Sequence, residues 1–146
     1  MVTDMWRVER LPAHVDDDGS LGDEVSAPSP GGLVVKMSTI PPGGRFDRAS
    51  YAQVMAYAFG AQAVSSDPKV IPGMHRTDTV DVVTIVAGEL HAVLEADETV
   101  LRAGDTIVQR GTMHAWQNRS QHPVTLVSVM MDAPRSHRDA GDQIPS

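Results

Sequence analysis

The chain has 146 residues, 41% hydrophobic and 21% charged, with 12 Lys and Arg against 19 Asp and Glu, a net charge of −7 and no cysteine. Such a length supports one domain around one sizeable core, and the absence of Cys excludes disulfides, thiolate metal sites and a Cys nucleophile. The acidic balance and the scattered basic residues argue against a nucleic-acid partner. No uncharged stretch is long enough to span a membrane, and the N-terminal residues lack the basic start and apolar run of a secretion signal, so the expected compartment is the cytoplasm.

Residues 1–32 read as an N-terminal loop or edge segment, because Asp16-Asp17-Asp18-Gly19 and Pro28-Ser29-Pro30-Gly31-Gly32 punctuate it with turn formers. Leu33 to Thr39 is a strand stopped by Ile40-Pro41-Pro42-Gly43-Gly44. From Ser50 to Gly60 the apolar residues Tyr51, Val54, Met55, Ala58 and Phe59 follow helical spacing, with Ser50 and Gln53 as a capping box and Gly60 as the C-terminal cap. This single short helix packs on the barrel exterior, and its Tyr51 and Tyr57 are pocket candidates. Beyond residue 68 the pattern is strand upon strand: Val80 to Val86, Leu90 to Leu94, Thr99 to Arg102, Thr106 to Gln109 and Val124 to Met131. Short, evenly spaced strands without intervening helices predict an all-β antiparallel sandwich or barrel over residues 33–132. The polar tail, residues 133–146, is expected to be mobile or to serve a subunit contact.

Of the six histidines, His14, His122 and His137 fall in loops or the tail, and strand alternation turns His91 toward the surface. His75 and His114 remain. Period-two alternation puts His75, Thr77, Thr79 and Asp81 on one face, and Asp81 breaks an otherwise apolar strand. A carboxylate facing an interior needs a hydrogen bond, a counter-charge or a metal. Gln109, Trp116, Asn118 and Met130 are the other inner-face candidates for a substrate pocket.

These residues resemble the cupin superfamily, small jelly-roll barrels that often hold a divalent metal. The first cupin motif runs His-x-His, then Glu, then Gly, and His75, Thr77, Asp81 and Gly88 stand at its positions. The second runs from Gly through Pro-x-Gly to His and Asn; here Gly104-Asp105 leads through Gln109-Arg110-Gly111 to His114 and Asn118. Thr replaces one His and Asp replaces Glu, while Gln109 replaces Pro and the Gly-to-His spacing is one residue shorter. The resemblance covers about Leu33 to Asp132 and implies a jelly-roll β-barrel.

By the same resemblance, His75, Asp81 and His114 are candidate metal ligands and catalytic residues. A two-His, one-carboxylate set would hold Fe, Mn, Zn or Ni and leave coordination positions open to substrate. Thr77 is a poor ligand, and Asp is one methylene shorter than Glu. Three readings follow. One is a metal-dependent lyase, dehydratase, isomerase or dioxygenase acting on a small polar metabolite. Another is a metal-free enzyme using His75 or His114 in acid–base catalysis, titrating near the ordinary imidazole value of ~6.5. The third is a non-enzymatic barrel that binds a small ligand. Apolar edge strands and the family resemblance point to a homodimer.

Overall fold

In a computed structural model the chain is described over residues 1–22, 25–43, 48–65, 67, 69, 71 and 73–136. Alternation of apolar and polar residues drives it into eight strands: β1 (Val2–Val8), β2 (Leu33–Ile40), β3 (Thr79–Ala87), β4 (Glu89–Leu94), β5 (Glu98–Arg102), β6 (Thr106–Arg110), β7 (His114–Gln117) and β8 (Val124–Asp132). They form two antiparallel sheets, ordered β1-β2-β8-β3-β6 and β5-β4-β7. Between the sheets lies a core of Val83, Ile85, Leu90, Ala92, Leu101, Val124 and Leu126, the interior of a small all-β jelly-roll barrel.

The strand from Thr79 to Ala87 buries every second residue up to Ile85, as the sequence alternation predicts. It then reverses at Gly88, whose φ of +91° suits glycine alone; a Cβ there would sit 2.9 Å from the Pro123 carbonyl oxygen. Gly111, in the second motif, likewise has a left-handed φ of +51°.

Helix α1 spans Arg48–Phe59, so it begins two residues before Ser50. Ser50 lies inside the first turn and does not cap it. The C-terminal expectation holds: Gly60, with φ +89°, donates its N–H to the Ala56 carbonyl at 3.0 Å, and a short 3₁₀ turn follows at Ala61–Ala63. Met55 is buried, whereas Tyr57 is 89% exposed and is not a pocket residue. The side chain of Tyr51, and with it that pocket assignment, lies outside what is described, as does every expectation for residues 137–146.

The N-terminal segment contributes more than a loop. β1 extends the large sheet by one edge strand, and its Asp4 is fully buried beside Lys36 on the inner face. The Lys36 ammonium donates to Asp4 Oδ1 and to the Ser26 carbonyl, each at 2.6 Å. Ser26 in turn donates its N–H and its hydroxyl to Asp4 Oδ2. Arg7 donates to Ser26 Oγ and to the Ala27 carbonyl. The turn-rich stretch around Ser26 is thus fastened across the edge of the sheet by a buried ion pair. Its one visible sequence signal is a Lys at an inward-facing position of the apolar strand Leu33–Ile40.

Candidate active site

His75 and Asp81 approach the interior from different sheets, although six residues separate them. The chain bends at Asp78, so His75 pairs with His114 beside β7, while Asp81 lies in β3 opposite Gln109 of β6 and Met130 of β8. Backbone hydrogen bonds run both ways between His75 and His114, at 2.9 and 3.0 Å, and hold their rings with centroids 4.2 Å apart. Trp116, two residues on, sets its ring edge-on to His114 at 5.2 Å and packs on the core.

The two imidazoles share one arrangement. His75 Nδ1 lies 2.8 Å from the Gly73 carbonyl oxygen, and His114 Nδ1 lies 2.7 Å from that of Thr112. A carbonyl only accepts, so both Nδ1 atoms carry the proton and both lone pairs sit on Nε2. His114 Nε2 is buried without a hydrogen-bond partner among the described residues. Burial holds both rings neutral: it pushes His75 down to about 3, assisted by the neighbouring His114, and it also lowers His114.

Asp81 has the opposite shift from the same cause. Burial raises it to about 6, against the lowering effects of the Thr79 hydroxyl and the charge of Lys36. Thr79 donates to the ionised carboxylate, so its own oxygen is left to accept from Thr77, 2.7 Å away. The Asp81 Oδ1 has no partner among the described residues and is buried. Thr77, which stands where the motif has its second His, thus continues a row of hydroxyls from Asp81 to a cleft of about 350 Å³. Thr79, Ala58, Phe59, Ala63 and Arg76 also line that cleft. A second hollow, of about 260 Å³, reaches Gln109 and Thr112. A third, of about 960 Å³, lies between β1 and the loop that follows it, lined by His14 but by neither His75 nor His114.

The other pocket expectations divide. Gln109 and Met130 are buried beside Asp81, and Gln109 donates to the Thr112 hydroxyl. Asn118 is buried too, but every polar atom is committed: its amide donates to the carbonyls of Ile40, Pro41 and His122, and its Oδ1 accepts from Ser120. It staples loops and has nothing left for a substrate. His91 faces outward, yet its side chain is only 16% exposed, because neighbouring strands crowd it.

His75, Asp81 and His114 were also the candidate metal ligands. Among the described residues no three His, Asp or Glu side chains converge closely enough to hold an ion. Two imidazoles with inward lone pairs suit a metal; the short Asp81 arm, on the facing sheet, does not complete the set. As placed, the trio does not fit a closed three-ligand site.

No family model matches the chain. It is similar to the phomopsin biosynthesis cluster protein C' of Diaporthe leptostromiformis, with 48% identity over 48 residues covering 32% of this chain and 25% of that protein. It is also similar to the cupin-domain-containing oxidoreductase virC of Hypocrea virens, with 38% identity over 69 residues covering 44% and 36%. The chain thus spans about a quarter to a third of the length of the curated relatives it matches. A cupin 2 conserved barrel domain protein from Salinispora arenicola CNS-205 aligns over 69% of this chain and 64% of its own, with 16% identity and a TM-score of 0.46. Two antiparallel sheets, with His75, Asp81 and His114 at the motif positions facing between them, define the class as a small jelly-roll barrel with an interior polar site. Over less than half of its length the chain is similar to cupin-domain-containing oxidoreductases.

Proposed function

We propose that the barrel is an enzyme performing acid–base chemistry on a small polar metabolite, of the lyase, dehydratase or isomerase type. The observation that carries this reading is the pair of Nδ1-to-carbonyl bonds, which aim neutral Nε2 bases at the interior that Asp81 also faces. A base needs a free lone pair at working pH, and His114 has one: burial disfavours its charged form, and its Nε2 has no hydrogen-bond partner among the described residues. An acid needs a proton near neutrality, and Asp81, pushed up to about 6, is the group suited to give one. Three buried side-chain atoms among the described residues lack a partner; His91 Nδ1 lies apart, and the other two, Asp81 Oδ1 and His114 Nε2, are places where a bound molecule recovers hydrogen bonds that folding leaves unmade.

A metal-dependent reading has two supports. Carbonyl-oriented imidazoles are how proteins prepare neutral metal donors, and one similar protein is described as a cupin-domain-containing oxidoreductase. A divalent ion there would supply Lewis acidity, with His75 and His114 as its first donors.

Elemental analysis of protein purified without added metal, then reconstituted with Fe, Mn, Zn or Ni, separates the two. The acid–base reading expects no stoichiometric ion. It further expects turnover, found by screening small polar metabolites, that ignores a chelator and falls by at least 10²-fold in His114→Gln. Stoichiometric metal lost in both His75→Ala and His114→Ala selects the metal reading. Full turnover in the double His variant defeats both.

A further inference from the structure

Past β8 the chain stays fastened to the barrel. Asp132 donates its N–H to the Gly32 carbonyl, and Ala133 donates its N–H to the carbonyl of Asp78, each at 3.0 Å. Two residues further on, Arg135 uses two groups of its guanidinium at once: Nε meets Asp78 Oδ1 at 2.7 Å, and Nη2 donates to the Gly111 carbonyl at 2.5 Å. These two partners are the places on which the geometry of the site turns. Asp78 is the bend that sends His75 to one sheet and Asp81 to the other. Gly111 opens the turn between β6 and β7 that delivers His114, and the next residue, Thr112, supplies the carbonyl facing His114 Nδ1. Gly111 also donates its N–H to the Thr79 carbonyl at 3.1 Å, and a Cβ on it would lie 3.2 Å from Arg135 Nη2 and 3.3 Å from the Thr77 carbonyl oxygen. Bend, turn and guanidinium thus form one tight knot.

We propose that Arg135 is a positioning residue for this site: its fork clamps the Asp78 bend to the Gly111 turn and so sets where the imidazoles of His75 and His114 stand relative to Asp81. The proposal rests on the reading of those three residues as the working groups. Folding stability does not account for the clamp. The Arg135 side chain is 32% exposed and that of Asp78 61%, and an ion pair so open to water adds little to stability. What it joins matters more. His75 and Asp81 are carried on opposite sides of the bend, and His114 follows the turn, so a shift of one against the other changes the distances among all three. About 1 Å of such misplacement is enough to cost on the order of 10²-fold in rate. The chemistry of the side chain fits the task. A planar guanidinium presents its donors in a fixed fork, holding an angle as well as a distance, whereas a lysine ammonium in the same place meets one partner at a time.

Arg135→Lys, which keeps the charge and removes the fork, tests this in the full chain by amide hydrogen exchange and by imidazole nitrogen-15 shifts, neither of which needs a substrate. The thermal midpoint is expected to stay close to that of the wild type. Exchange at the His75 and His114 amides, which bond each other's carbonyls, is expected to quicken by about tenfold or more, while Val34 and Val129 in β2 and β8 keep wild-type rates. The His114 shifts, which in the wild type mark a proton on Nδ1, are expected to move toward those of an imidazole exchanging between tautomers. Should Arg135→Lys fail to fold, Asp78→Asn removes the ion pair while leaving Arg135 in place, and the same changes are expected from it. Wild-type shifts and exchange at both histidines in the variant overturn the clamp alone. So does a lowered midpoint with faster exchange throughout the barrel and unchanged histidine shifts, the pattern of a merely structural contact. A wild type whose His114 proton lies on Nε2 overturns the acid–base reading, and the clamp with it.

Discussion

Burying an ionisable group penalises its charged form, and at this site the same penalty acts in opposite directions on neighbouring residues. Asp81 rises to about 6 in the fold, so the folded state holds a proton that the unfolded chain has already released above 3.8. Its contribution to stability is present below 3.8 and is lost as pH rises through about 6. His75, lowered to about 3 from 6.5, works the other way: its contribution is present above 6.5 and lost as pH falls toward 3. Asp81→Asn is therefore expected to stabilise the protein at pH 7.5 by about 1 to 3 kcal/mol, with the gain vanishing near pH 3. Urea unfolding of both proteins at the two pH values measures the difference. A variant that gains stability at neutral pH while losing turnover shows that the carboxyl is kept for chemistry. The same shifts revise the pH profile expected from an unperturbed imidazole. With both rings held neutral, the group titrating near neutrality is Asp81, and kcat/KM is expected to fall as pH rises past about 6. An unchanged rate from pH 5 to 8 would remove Asp81 as the acid.

Among elements, β1 depends on charge more than on apolar packing. Lys36 sits between Asp4 and the Ser26 carbonyl, and burial lowers its ammonium while Asp4 opposes that shift. Removing one member of a buried pair strands the other, so Lys36→Met is expected to cost about 3 to 5 kcal/mol. The double variant Lys36→Met, Asp4→Leu should recover much of that loss, because no charge is left stranded; a denaturant double-mutant cycle reads the coupling. The β3–β4 turn rests on backbone conformation instead. Gly88→Ala meets the Pro123 carbonyl at 2.9 Å with φ at +91°, so a loss of about 2 kcal/mol or more is expected in the same measurement.

At the scale of the whole molecule, one core between the two sheets holds the fold together, with Ile85 and Leu90 almost fully buried in it. Leu90→Ala removes packing from both sheets at once and is expected to cost about 2 to 5 kcal/mol, as urea unfolding would show.

Strand alternation, turn residues and motif spacing were sufficient for the barrel, for six of the eight strands, for the helix near residues 50–60 and for the inward direction of His75, Asp81 and His114. Those features are local: side chains on a strand alternate with period two, and glycine alone tolerates the left-handed turns at Gly88 and Gly111. Four others came only with tertiary structure. β1 has no clean alternation, and its place depends on Lys36, 32 residues on from Asp4. Asn118 matched a motif position, yet loops distant in sequence use up its hydrogen bonds. His91 pointed outward as expected but was crowded by its neighbours. The bend at Asp78 set His75 and Asp81 on facing sheets. Which residues share a face follows from local geometry; which of them meet, and how dry they become, depends on contacts between distant parts of the chain, and no local pattern encodes those.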